Sequence, residues 1–235
     1  GLTNLEKIKL HFKFLFKQYV MGNFDEITED LSKFKVSTLN YANLRLLFTE
    51  IFVRNIYNFS TDNLSPLIVD GGSNVGMSMI FFKSIYPNSK IIGFEPSKKC
   101  FKLLEENIKN NHFENEITVF NKALSNEENT TKLYRPGSVC GSIKAEFLSD
   151  EFEDIETVRL SSYINQDVDL LKLDIEGAEY DVIKDLAENN KLRFIKNIIM
   201  EYHYPENGLA GMLNFFDKNG FAYRIENDLI YANRK

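Results

Sequence analysis

Cysteine is scarce in this chain of 235 residues: Cys100 and Cys140 are all it has. Two thiols cannot staple a small secreted fold, and they lack metal-ligand spacing, so buried or idle thiols in a reducing cytoplasm are expected. Long apolar runs are also missing. No segment has the length needed to cross a bilayer, and no signal-peptide pattern opens the chain. Positive charge is not in excess either. Twenty-eight lysines and arginines stand against 34 acids, a net charge of −6. That balance argues against a nucleic-acid partner, whose affinity would come from neutralising phosphates. No internal repeat is visible. The chain starts at Gly1 rather than Met, the form of a trimmed or tag-derived start.

What is present suits one well-cored domain with a small appendage. Hydrophobic residues at 43% and charged residues at 26% are the ordinary balance of a globular protein. Residues 1–62 read as an N-terminal helical extension. Leu5, Ile8, Phe12, Leu15 and Tyr19 recur at three- and four-residue steps, which predicts one helix face docked on the core. Lys7, Lys9, Lys13 and Lys17 lie largely off that stripe and read as its solvated side; a helix lying on a membrane surface is the alternative. Gly22 and Asn23 end this helix. A second is expected from Thr38 to Tyr57, burying Leu44, Leu47, Phe48 and Ile51.

Residues 63–235 form the second unit, and from Pro66 onward short strands alternate with helices. Strands are predicted at Leu67–Val69, Lys90–Phe94, Glu116–Phe120, Val168–Leu173 and Ile195–Tyr202. Helices are predicted at Val75–Ile85, Lys98–Lys109, Glu176–Glu188 and Leu209–Lys218, before two final strands, Ala222–Ile225 and Leu229–Tyr231. This rhythm implies an α/β doubly wound sheet ending in an antiparallel hairpin. The polar stretch Ser125–Asp154 is the expected lid or substrate loop.

The first strand runs into PLIVDGGSNVG, Pro66 to Gly76. In open α/β sheets ligands bind beyond the carboxyl ends of the strands, so this turn is the natural cofactor site. A dinucleotide fold wants G-x-G-x-x-G with a pyrophosphate on the helix N-terminus. Here the pattern is D-G-G-x-x-x-G. A carboxylate at Asp70 would repel a pyrophosphate and attract a sulfonium or an ammonium group. The next strand ends in Phe94-Glu95-Pro96, placing an acid where it can grip both hydroxyls of a ribose. Glu95 alone suits NAD and S-adenosylmethionine equally; Asp70 and Glu95 together favour S-adenosylmethionine.

A second dense signal is LLKLDIEGAEYDVI, Leu170 to Ile183. Asp174 terminates an apolar strand, while Glu176 and Glu179 open the next helix, where the dipole favours acids. Lys172, two residues before Asp174 on the same face, is an ion-pair partner or a catalytic base. In IIMEYHYPE, Glu201 and His203 sit one alternation apart and point the same way. His203 either satisfies local hydrogen bonds or accepts a proton. Asp174, Glu201 and His203 alternatively form a site for a divalent metal.

VDGGSNVG, GFEP and above all LLKLDIEGAEYDVI resemble the FkbM-type family of S-adenosylmethionine-dependent methyltransferases, over roughly Leu67 to the end. The resemblance implies a Rossmann-like, seven-stranded class I methyltransferase sheet with its last strand antiparallel. It also implies O-methylation of a sugar, glycolipid or natural-product hydroxyl. Asp70, Gly71, Gly72 and Gly76 match the cofactor loop, with Asn74 inside it; Glu95, followed by Pro96, matches the ribose acid. Asn121, Ala123 and Leu124 fall where the fold places adenine contacts, and Asp174 matches the acid of the family block. One departure is Leu160-Ser161-Ser162, where relatives often carry a Leu-Asp pair. Nucleic-acid amino-methylating enzymes often carry a proline-rich turn after the central strand. Asp174-Ile175-Glu176 has no proline, which favours oxygen as the acceptor atom.

On this reading His203 is the base that takes the acceptor's proton, and Asp174 orients the hydroxyl or holds a metal that acidifies it. The expected partner is a small molecule or a glycan. The N-terminal helices cover the acceptor site or build a homodimer. A nicotinamide-dependent oxidoreductase on the same sheet, and a non-catalytic scaffold, are the competing classes.

Overall fold

The computed structural model describes residues 1–22, 26–134, 152–203 and 208–235. Its centre is a seven-stranded sheet built from β3 (Leu67–Gly71), β4 (Lys90–Phe94), β5 (Ile117–Phe120), β9 (Leu170–Leu173), β10 (Asn197–Glu201), β11 (Phe221–Glu226) and β12 (Leu229–Arg234). Their order is β11-β12-β10-β9-β3-β4-β5. Neighbours from β10 to β5 pair parallel, and β12 inserts antiparallel between β10 and β11. The last strand of the chain is thus the antiparallel one, and the sheet is α/β and Rossmann-like, as expected.

Strand order reverses between β3 and β9, so the turns leaving these two strands flank one crevice. Side-chain alternation sorts the core into two layers. Ile68 of β3 and Leu170 of β9 face one layer, with α3 (Met77–Ile85) and α4 (Lys98–Asn110). Val69, Leu171 and Leu173 face the other, with α5 (Glu179–Glu188) and α6 (Leu209–Lys218). Apolar residues dominate both faces of these strands because both faces of the sheet are covered.

The N-terminal segment differs from expectation in its elements and in its orientation. Between α1 (Asn4–Met21) and α2 (Tyr41–Phe48) lies a hairpin of β1 (Ile27–Leu31) and β2 (Phe34–Thr38), in a region read as helical throughout. The predicted second helix is also shorter: α2 passes into a π-helical stretch, Thr49–Val53. The second difference is the orientation of α1. Leu5, Ile8, Phe12, Leu15 and Tyr19, the predicted core stripe, are exposed, and Phe14 is the buried residue.

A run of aromatic contacts fixes that orientation. Phe14 meets Phe48 edge-on at 5.4 Å, Phe48 stacks on Phe52 at 5.5 Å, and Phe52 meets Phe81 of α3 edge-on at 5.4 Å. Lys13 pairs with the buried Glu29 at 2.7 Å, and Lys17 pairs with the same carboxylate. These ion pairs turn the lysine flank toward the protein and leave the apolar stripe outside.

Ser125–Asp154, read as irregular, contributes strands at both of its ends. β6 (Ala123–Ser125), β7 (Thr130–Tyr134) and β8 (Phe152–Arg159) form a small sheet in the order β6-β8-β7. Residues 135–151, with Cys140 and most of the expected lid, lie outside the described residues; Cys100 is a buried free thiol. Among the described residues no helix is long and apolar enough to cross a membrane.

Candidate active site at the carboxyl edge of the sheet

The turn after β3 folds back on the neighbouring strands. Gly72 and Ser73 both donate backbone N–H bonds to the Phe94 carbonyl, at 2.9 and 3.0 Å. Gly72 has φ +75°, and a Cβ there would lie 1.8 Å from the Asp174 carbonyl oxygen. No other residue fits: the conformation is left-handed, and the backbone after β9 occupies the space. Thus the two acid-bearing motifs, a hundred residues apart in the chain, touch backbone to backbone.

Asp70 was expected to face a cationic ligand. Its counter-ion is instead inside the chain. Asp70 has no exposed surface; one carboxylate oxygen lies 3.2 Å from Lys172 Nζ, and the other accepts a 2.5 Å bond from the Ser78 hydroxyl. Lys172 is 2% exposed and donates to the carbonyls of Gly71 and Gly72 at 3.2 and 2.7 Å. It also approaches Asp174 at 3.8 Å. Burial works to lower the Lys172 ammonium, but Asp70, Asp174 and Glu95 outweigh it and hold its pKa above the usual value. A lysine held charged is no proton acceptor at neutral pH. Of the two roles open to Lys172, ion-pair partner is the one this geometry supports.

Glu95, at the end of β4, is 3% exposed and binds the same turn. It accepts from Asn74 N–H and from Ser97 N–H, each at 2.8 Å. Burial pushes its carboxyl up to about 7, against the pull of these two donors. Asn74 reaches Glu95 by taking a positive φ of 51°. The Asn121 side chain, just past β5, donates to the carbonyls of Glu95 and Pro96 at 2.9 and 3.0 Å. It ties the third strand end to the second. Ala123 and Leu124 are buried, with Leu124 packed toward Gly71. Asp70, Gly71, Gly72, Asn74, Glu95, Pro96, Asn121 and Leu124 therefore surround one turn, and Gly76 caps α3 in the left-handed conformation.

Beyond β9 and β10 the site is dominated by acids around one imidazole. His203 Nδ1 lies 3.1 Å from Glu179, while Nε2 lies 3.4 Å from Glu176 and 3.7 Å from Glu201. Burial would lower the imidazolium, but Glu179, Glu176 and Asp174 raise it to about 9. Glu201 is pushed up to about 7 by burial and by the negative charge of Asp174. Metal-ligand atoms that gather within 4.8 Å among the described residues are those of Asp174, Glu176 and His203. Glu176 thus takes the place that sequence reasoning gave to Glu201.

Two contributors escaped sequence reasoning. Tyr57, buried in the N-terminal segment, donates its hydroxyl to Asp174 at 2.9 Å. Nothing local in the sequence marks a contact spanning 117 residues. Glu179 looked like an ordinary first-turn acid. Instead it is wholly buried, accepts from Ile175 N–H and Gly177 N–H at 3.2 and 3.1 Å, and orients His203.

The Methyltransferase FkbM domain matches residues 70–223, from Asp70 past the acid cluster. Methyltransferase sdnD of Sordaria araneosa is 26% identical over 196 residues, covering 68% of this chain and 75% of that protein. The 31-O-demethyl-FK506 methyltransferase FkbM of Streptomyces tacrolimicus is 25% identical over 232 residues, 84% of this chain and 89% of the relative. The crystal structure of Methyltransferase FkbM from Methylobacillus flagellatus superposes with a TM-score of 0.55 at 16% identity. That match covers 77% of this chain and 46% of the other, so the chain spans about half the length of that protein.

Proposed function

Because this chain belongs to the FkbM methyltransferase family, we propose that it transfers a methyl group from S-adenosylmethionine to a hydroxyl of a small molecule or glycan: a sugar, a glycolipid or a natural product. The observation that carries this reading is the close stacking of Gly72 on Asp174 with Glu95 beside it. A cofactor turn and an acid-lined acceptor region then share one crevice. Residues 63–235 are the catalytic unit in this proposal, and residues 1–62 an extension that reaches the site through Tyr57. A cytoplasmic setting accords with the buried free thiol of Cys100.

S-adenosylmethionine, when bound, supplies an electrophilic methyl group. The chain's own residues bind and orient. Lys172 neutralises Asp70 and clamps the turn, Gly72 lets the turn lie against the backbone at Asp174, and Glu95 accepts from the ribose hydroxyls. The donor set suits an adenosine: an acid at the second strand end, held by the Asn74 and Ser97 N–H groups beside the glycine turn, has lone pairs left for ribose hydroxyls.

Proton transfer rests on the acid cluster. His203 was expected to be the base, but a pKa near 9 leaves it charged at neutral pH. Glu201, near 7, is matched to accept a proton from the acceptor hydroxyl, a contribution typically of ~10²–10⁴ in rate. His203 then serves as the cation that holds Glu176, Glu179 and Glu201 together. Asp174, Glu176 and His203 would hold a divalent cation only with His203 deprotonated, and such an ion would acidify a hydroxyl bound to it.

The test is transfer of labelled methyl from S-adenosylmethionine to a panel of hydroxylated sugars, glycolipids and phenols. Labelled ether products that disappear in Glu201→Gln support the proposal. Labelled amines, or cofactor binding without transfer to any acceptor, would overturn the O-methyl reading.

A further inference from the structure

Among the described residues, most of the exposed large hydrophobic side chains lie on α1, on a face the functional reading leaves unused. Leu5, Ile8, Phe12, Phe16, Tyr19 and Val20 are 61%, 55%, 63%, 67%, 89% and 60% exposed. They recur at helical spacing, so they form one continuous stripe. The helix is firmly built. Thr3 and Glu6 close a capping box at its start, and Phe14 anchors its inner side against Phe48. Exposure of the stripe therefore does not reflect a helix waiting to roll inward. Rolling it would break Lys13 and Lys17 from Glu29, Lys7 from Asn55, and Phe14 from its pocket.

Taking about 200 Å² for a fully exposed large apolar side chain, the six side chains present roughly 800 Å². The largest patch on a typical monomer is about 300–600 Å², whereas a standard interface buries about 800 Å² per partner. Area thus matches one side of a stable dimer.

Charge separates the two occupants such a face would suit. A helix resting on an anionic membrane needs basic residues free along its border to meet headgroups. Of the four lysines in α1, Lys13 and Lys17 are paired with Glu29 and Lys7 is bonded to Asn55, which leaves Lys9 alone to meet headgroups. The net charge of −6 adds general repulsion from an anionic surface. A second copy brings an equally apolar stripe and needs no counter-charge.

We infer that α1 pairs with α1 of a second copy of this chain across a two-fold axis, burying the stripe in an isologous helix–helix contact. The contact lies outside the crevice that holds the proposed cofactor, so methyl transfer and pairing are separable.

Sedimentation equilibrium of the full chain across the micromolar range tests it. The expected mass is twice 27.3 kDa, falling to 27.3 kDa in the double variant Phe12→Glu, Phe16→Glu. Unchanged circular dichroism would show that variant folded, and Leu64→Glu, on another exposed apolar residue, should stay dimeric. As a second readout, mild oxidation of Phe12→Cys should give a covalent dimer that the parent chain does not form. A monomeric parent chain, a dimer indifferent to the double substitution, or flotation of a monomer with phosphatidylglycerol vesicles would each overturn the inference.

Discussion

Replacing Lys172 by methionine tests whether this residue holds the cofactor turn or serves as a base. Lys172 Nζ sits between Asp70 and Asp174 at 3.2 and 3.8 Å and donates to two carbonyls of the turn. Methionine fills a similar volume, so the loss is electrostatic rather than a cavity. Asp70, with no exposed surface, would keep only the Ser78 hydroxyl and the low dielectric around it. Removing one partner of a buried pair costs about 3–5 kcal/mol. For a chain of this length each kcal/mol moves Tm by about 2–4 °C, so the expected drop is about 6–20 °C. Scanning calorimetry with urea unfolding reads it directly. Adding Asp70→Asn to the same variant should recover part of the loss, because the stranded charge is gone. A Lys172→Met protein melting within ~2 °C of the parent, but inactive, would refute the ion-pair account and return Lys172 to the role of base.

Three further outcomes follow from the same geometry. The pH–rate profile should rise with pH to a midpoint near 7, since Glu201 must lose its proton to act. The residual rate of Glu201→Gln should lack that limb, whereas a midpoint near 9 would identify His203. Gly72→Ala forces a Cβ onto the Asp174 carbonyl in a left-handed conformation that alone costs about 1–2 kcal/mol. Its affinity for S-adenosylmethionine should fall at least tenfold, and parent-like binding would contradict the stacked turn. Tyr57→Phe removes the hydroxyl that bonds Asp174 and should cost about 1.5–3 kcal/mol in urea unfolding; a change below half that range would mean the bond contributes little.

The strand–helix rhythm after Pro66 was legible because the central sheet strands, buried on both faces, are written mainly in apolar residues. Leu170–Leu173 and Lys90–Phe94 are examples. Asp70 and Glu95 were legible as strand-end acids, but the partner of Asp70 was not. A carboxylate's charge is visible in sequence, while the lysine that neutralises it lies about a hundred residues on. The same blindness to distant partners inverted α1. Periodicity identifies an apolar face without saying which face meets the core, and Glu29 decided that by drawing Lys13 and Lys17 inward. The β1–β2 hairpin was passed over because ITEDL and FKVST are short and polar, and its turn rests on Ser32 at a positive φ of 60°. The acid cluster was legible in its members, Asp174, Glu201 and His203, but not in the way Glu176 and Glu179 close around the imidazole.

The turn at Gly72 and the acid at Glu95 are proposed to receive S-adenosylmethionine. Calorimetric titration of the parent chain and of Glu95→Ala with S-adenosylmethionine and with NAD tests this most directly. Saturable binding of S-adenosylmethionine, weakened at least tenfold in Glu95→Ala, with no heat from NAD, is the predicted result. Binding of NAD, or S-adenosylmethionine binding indifferent to Glu95, would contradict the account.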